Sequence, residues 1–334
     1  MVANKNTWAD VLKETNERKL ANGRPDYDGV RRSKMAAVKK HTGRPLIVYA
    51  VDFLNLNKTQ AAGGDISMDW SDKDGFMEVA DGLEGDSVDV LLHSPGGKAE
   101  AADSIVKILR GNFDDVRFII PNLAKSAATM LALSGDSIMM DYSSELGPID
   151  PQFVFQRSDG SVVVAPAQAI IDQFDHAQGI ISKEPEKLAP WLPILQQYGP
   201  SLYIQAKNAI ELSQKYVEEW LSEYMFRELE DADAKSKARS IAKYLSSHNE
   251  FKSHSKKIGL DDIAANAALK PLKVVDMRKD PELRNHIWGL YNSIAVTFNG
   301  TGAYKIFENS LEQAMVKMIQ IGVIEQKPEK KKKR

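Results

Sequence analysis

Cysteine is absent from the 334 residues, which excludes disulfides, thiol catalysis and cysteine-ligated zinc and fits a reducing compartment. Also missing is any apolar run approaching the roughly 18 residues of a membrane span; the longest, such as 46–54, have strand length. Neither sign of charge dominates: 44 Lys and Arg face 46 Asp and Glu, too even a balance to argue for nucleic acid or a membrane surface. No G-x-x-x-x-G-K-[ST] phosphate loop occurs, so ATP-driven unfolding would need a separate partner. The opening MVANKNTWADVL lacks the apolar core of a secretory signal. Together these absences predict a cytoplasmic protein with no internal repeat.

What remains is an ordinary globular composition, 43% hydrophobic and 27% charged, sized for about two domains or one large α/β domain with an appendage. Residues 7–40 read as a polar lead-in helix, with apolar spacing at Trp8, Val11 and Leu12, followed by a linker. PLIVYAVDFL (45–54), VDVLLH (88–93) and VRFIIP (116–121) are strand-like, too short for helices and too apolar for surface strands. Helical patterns at 99–111 and 124–135 alternate with them, each ending at a glycine. This rhythm predicts parallel βαβ units buried on both faces. A further strand is expected at 136–141, then a hairpin around Ser158, Asp159 and Gly160. Residues 166–247 read as helical, with Ile204, Ile210, Leu212, Val217, Trp220 and Leu221 sketching an apolar face. A last strand at 273–275 and a helix at 281–298 complete the body. The organisation expected is a polar N-terminal segment (1–41), a core (42–165), a helical insertion serving oligomerisation (166–247), the rest of the core with C-terminal helices (248–325) and a basic tail (326–334). That tail reads as a solvated charge run, with contact to RNA as the alternative.

The chemistry concentrates in three stretches. HSPGGKAEAAD sets Gly96 and Gly97 between a strand and a helix, where backbone N–H groups suit an anion or a developing oxyanion; such a turn can also be only a tight connection. One βα unit later, NLAKSAATM sets Ser126 at the next helix start, on the carboxyl edge of the neighbouring parallel strand. A serine there is commonly a helix cap, but facing a Gly-Gly turn among small neighbours it reads as a nucleophile. In SSELGPIDPQF, Pro148 and Pro151 bracket Asp150 and fix its presentation; a turn aspartate bonding its own backbone is the alternative.

HSPGG, AKSAATM and LGPIDPQ, in this order and spacing, resemble the serine dehydrogenase proteinase (SDH) family of the Clp-protease/crotonase fold group, which also holds the signal peptide peptidase A enzymes. TGRPLIVYAVDF, KYLSSHNEFKSHSKKIGL, KVVDM and AYKIFEN are similar to further stretches of its longer members, so the likeness runs from about residue 42 to 309. The resemblance implies an α/β fold, a spiral of ββα units with added helical segments, and a ring-forming or trimer-based homo-oligomeric serine peptidase acting on polypeptide. It implies Ser126 as nucleophile and Gly96, Gly97 and the N–H of Ala127 as oxyanion hole. The family usually reads AMSAGT; here Lys125 replaces Met, setting a charge beside the serine, and Ala128 replaces Gly.

The general base is expected from a triad in which His254 takes the proton and Asp150 orients it, since triads are recognised by geometry and not by chain order. The rival is a Ser–Lys dyad with Lys183 or Lys207, as in the signal peptide peptidase A relatives. His93 reads as a packed or hydrogen-bonded strand-end residue; His41, His176, His248 and His286 show no ligand-like spacing apart from His248 and His254, six apart, a pair that makes no metal site without a third ligand in register, and neither a metal nor another cofactor is expected. The competing functions are a crotonase-type acyl-CoA enzyme and a catalytically silent scaffold.

Overall fold

The computed structural model describes residues 6–156, 160–196 and 201–319. Two helices open it. Thr7 and Asp10 close a capping box at the start of α1 (Trp8–Glu17). The Asp26 side chain caps α2 (Tyr27–Thr42), which stops on left-handed Gly43 (φ 68°). The second half of the expected linker is therefore a helix. Val30, Met35 and Val38 form its buried stripe, masked in the sequence because Arg31 lies in the same stripe, buried against Glu308.

The core follows as β1 (Leu46–Val51), α3 (Leu56–Ala62), α4 (Asp72–Ala80), β2 (Ser87–His93), α5 (Ala99–Asn112), β3 (Asp115–Ile120), α6 (Ala127–Leu133) and β4 (Ser137–Met140). A hairpin, β5 (Gln152–Gln156) and β6 (Val162–Pro166), stands apart from the main sheet; Ser158 and Asp159 of its expected tip lie outside the described residues, as does the basic tail. The helical stretch is α7 (Ala167–Ile181), α8 (Leu188–Leu195), α9 (Leu202–Trp220) and α10 (Asp231–Leu245), then α11 (His248–Phe251) and α12 (Leu260–Ala265). The chain returns to the sheet as β7 (Val274–Asp276), α13 (Pro281–Gly300), β8 (Ala303–Asn309) and β9 (Ala314–Met318).

The seven-stranded sheet runs β7-β4-β3-β2-β1-β8-β9. β7, β4, β3, β2 and β1 are parallel, whereas β8 and β9 pair antiparallel. The fold is α/β, as expected, but β7 is not the last strand. β8 escaped the reading because its buried residues include Lys305, Glu308 and Asn309, which only distant partners make tolerable. Alternation along β1 divides the core: Ile47, Tyr49 and Val51 face α4, α5, α6 and α10, while Leu46, Val48 and Ala50 face α2 and α13.

Beyond the ends of β2, β3 and β4 the chain keeps bridging in short pieces: Met68 with Gly97, Ser94 with Ala124, Leu123 with Glu145, and Leu146 with Ile258. Strand, bridged segment and helix thus recur through α5 and α6, the ββα unit of the expected spiral.

A buried polar network locks β1, α4 and β8 together. The Tyr49 hydroxyl donates to Asp72 Oδ2 at 2.8 Å, and Lys305 Nζ donates to both Asp72 oxygens at 2.7 Å. All three residues are fully buried, and burial, then Asp72, raises the Tyr49 hydroxyl well above its usual range. Replacing Asp72 by Ala strands the Lys305 ammonium inside the core and is expected to cost about 3–5 kcal/mol, read as a lowered urea midpoint; a loss below about 1 kcal/mol would contradict the network's role.

Candidate active site

Ser126 occupies the N-cap position of α6 but makes no side-chain capping bond, so the cap alternative is not realised. Its backbone sits at φ 53°, ψ −123°, a conformation costing on the order of 1–3 kcal/mol outside glycine and of the kind that presents a side chain from a sharp strand-to-helix turn. Lys125 N–H donates to Ser94 O at 3.1 Å, joining this turn to the glycine turn after β2.

Gly96 (φ 85°) is where the two turns touch. A Cβ there would overlap the Lys125 carbonyl and lie 2.7 Å from Ala127 N and 2.9 Å from Ser126 Cβ. Its own N–H donates to Ser94 Oγ at 3.2 Å, so in this structure Gly96 supplies space and not a free donor. In the bridge with Met68, Gly96 O accepts and Lys98 N–H donates, which turns the N–H and C=O of exposed Gly97 the opposite way. Among the described residues, the N–H groups of Gly97 and Ala127 donate no hydrogen bond.

Asp150 is buried in the loop after β4. Thr129 Oγ1 of α6 accepts from Gly147 N–H at 2.9 Å, and Ile149 N–H donates to Leu245 O at 2.9 Å, so the loop is held at both ends. Three side chains converge on its carboxylate: His254 Nδ1 at 2.6 Å from Oδ1, His248 Nδ1 at 3.1 Å from Oδ2 and Gln152 Nε2 at 2.8 Å from Oδ2. A carboxylate only accepts, so each imidazole donates through Nδ1 and keeps Nε2 as its acceptor nitrogen. The geometry follows from one register: Leu146 and Ile258 exchange backbone hydrogen bonds of 3.0 and 3.1 Å, and Asp150 and His254 lie four residues from that bridge on opposite arms.

The sequence brought His254 to Asp150 but passed over His248 and Gln152. The six-residue spacing of the two histidines was visible; what joins them is left-handed Lys252 (φ 59°), which ends α11 and turns the chain back. The lysine alternatives fare differently. Lys207 is exposed against the Tyr203 ring at 4.4 Å, and its bond to Tyr203 holds it above the usual lysine range, the wrong direction for a base. Lys183 is exposed just beyond α7. Lys125 Nζ is tied to Glu145 Oε2 at 2.8 Å and Leu146 O at 3.1 Å, so its charge is neutralised across the loop and not aimed at Ser126.

His93, at the end of β2, packs between the rings of Phe53 and Tyr291, with centroids 5.1 and 5.3 Å away. Burial pushes it down to about 4, and its Nδ1 accepts from Leu123 N–H at 3.4 Å. The folded protein holds this ring neutral while the unfolded chain takes a proton below about pH 6.5. Its contribution is therefore complete above that pH and is lost as pH falls toward 4, on the order of 3 kcal/mol. Urea unfolding of wild type and His93→Gln between pH 7 and 4 should differ in steepness by that amount; parallel pH profiles would refute it.

Comparison with known proteins bears on these same residues. Residues 79–188 match the model of a family described as ClpP-like SDH-type serine proteinases. An uncharacterised protein of Methanocaldococcus jannaschii is 40% identical over 88 residues, 26% of this chain and 30% of its own length. A second from that organism is 28% identical over 160 residues, covering 48% and 44%. The chain thus spans less than half the length of either relative. Two solved structures of the 1510-N membrane-bound stomatin-specific protease, one a serine-to-alanine variant and one a lysine-to-alanine variant with a substrate peptide, are 16% identical with a TM-score of 0.36. They cover 65% of this chain and 78% and 74% of theirs. Among the described residues no helix is long and apolar enough to cross a membrane. Over the segment carrying Gly96, Gly97, Ser126 and Asp150, the chain is similar to the ClpP-like SDH-type serine proteinases.

Proposed function

We propose that the chain is a serine endopeptidase in which Ser126 attacks the scissile carbonyl of an extended polypeptide. Ser126 Oγ bonds to the carbonyl carbon and passes its proton to His254 Nε2, while Asp150 holds the ring through Nδ1 and stabilises the imidazolium. The oxyanion is received by the N–H groups of Gly97 and Ala127; each such donor is worth roughly a hundredfold to a thousandfold in rate. The imidazolium then protonates the leaving amine, and water, activated by the same His254, releases the acyl group. His248 and Gln152 position the carboxylate from its other oxygen. The observation that carries this reading is Ser126 itself, strained, uncapped and packed on Gly96. A crotonase-type enzyme would use the same donors without needing a serine nucleophile in that conformation.

Self-association belongs to the same reading. Val154, Val162 and Val164 form an outward apolar face on the β5–β6 hairpin, 69%, 61% and 56% exposed, and Leu188 and Leu192 of α8 are also exposed. Such surface is usually covered by a partner, here a second copy. Multi-angle light scattering should give a multiple of 37.1 kDa; a monomer at micromolar concentration would exclude it.

The chemical proposal is tested by casein hydrolysis. Ser126→Ala should lose more than about a thousandfold, His254→Ala nearly as much because triad members act as a unit, and Asp150→Asn less. His248→Ala should fall by about tenfold or less, and Lys207→Ala should match wild type. A folded Ser126→Ala protein with wild-type activity would sink the nucleophile assignment; a folded, active His254→Ala protein would sink the triad.

A further inference from the structure

On the far face of the sheet, two histidines distant in sequence meet. His41 lies in the last turn of α2, and Glu282 and His286 lie on the first turns of α13, one helical turn apart. One ring nitrogen from each histidine and a Glu282 carboxylate oxygen fall within 4.8 Å of one another; His286 Nε2 is 3.8 Å from Glu282 Oε1, and the imidazoles cross at 62° with centroids 5.8 Å apart. The helices that carry them are fixed by shared packing of Met35 and Val38 against Leu283, Ile287 and Leu290.

We propose that His41, Glu282 and His286 bind a divalent transition-metal ion of the zinc type, stapling the end of α2 to the start of α13. Two imidazoles and one carboxylate suit zinc, cobalt or nickel and not the oxygen-preferring calcium or magnesium. A fourth group stands beside them: Asp280 Oδ2 is 2.8 Å from His41 Nε2, and Asp280 Oδ1 accepts from Leu283 N–H at 3.0 Å. Those two contacts hold its carboxyl below the usual range. It is the kind of anchored carboxylate that orients a ligating imidazole. Zinc–ligand distances of about 2.0–2.2 Å require these side chains to close by roughly an ångström, which their partial exposure allows.

The test is a zinc chloride titration of the full chain against a competing chromophoric chelator, with cobalt chloride absorption as a second readout. Wild type should bind one equivalent at micromolar affinity, with a higher melting temperature in zinc. His41→Asn and His286→Asn should each weaken binding at least tenfold and lose that thermal shift. Glu282→Gln, an exposed change that leaves folding intact, should weaken binding likewise. His254→Asn should bind as wild type, separating this cluster from the histidines on Asp150. Absence of saturable binding, binding unchanged in Glu282→Gln, or binding lost in His254→Asn would each overturn the site.

Discussion

Three parallel strands end in step, and single backbone bridges carry the pairing a few residues past their ends. On that registration everything at the candidate site depends. Ser94 with Ala124 sets the Gly96 turn against Ser126, and Leu123 with Glu145 draws the loop after β4 beside the same helix start. Leu146 with Ile258 lays the segment after α11 across that loop. Because an antiparallel register brings residues at equal distance from a bridge opposite one another, His254 reaches Asp150 from a part of the chain with no local reason to be there.

The arrangement is held against costs that the fold must offset. Ser126 keeps a backbone conformation that a non-glycine residue avoids, and Asp150 is buried. Neither would persist in a loosely held loop. Thr129 and the Leu245 carbonyl fix the loop before Asp150, and three donors satisfy its oxygens, so that burial does not leave a charge unpaired. Gly96 adds a steric requirement: with any larger residue the two turns would be forced apart. Site geometry and loop stability are in this sense one property.

The parallel strands were legible because β1 is a continuous apolar run and β2 and β3 are broken only by Asp89 and Arg117, which pair with each other, a pattern that two-sided burial explains. That the Gly-Gly turn and Ser126 would be neighbours was legible because strand-to-helix turns on adjacent parallel strands lie side by side, whereas Asp150 stood out only through the prolines that flank it. Legibility ended where a residue's environment comes from far along the chain. Lys305 and Glu308 look like surface residues until Asp72, Arg31 and Arg32 are placed beside them, so β8 stayed hidden. α2 stayed hidden for the same reason, its stripe carrying Arg31. His248 needed the left-handed turn at Lys252, and His41 and His286 needed α2 and α13 to pack. That the Gly96 N–H is spent on Ser94 Oγ could not have been read from a Gly-Gly pair at all.

An activated Ser126 is the step on which the proposed peptidase chemistry rests. It is tested most directly by treating the full chain with a fluorophosphonate and locating the adduct by peptide mass spectrometry. A single stoichiometric adduct on Ser126 is expected, formed rapidly in wild type and at least a hundredfold more slowly in His254→Ala. No adduct on folded wild-type protein, or an adduct on another serine that persists in Ser126→Ala, would contradict it.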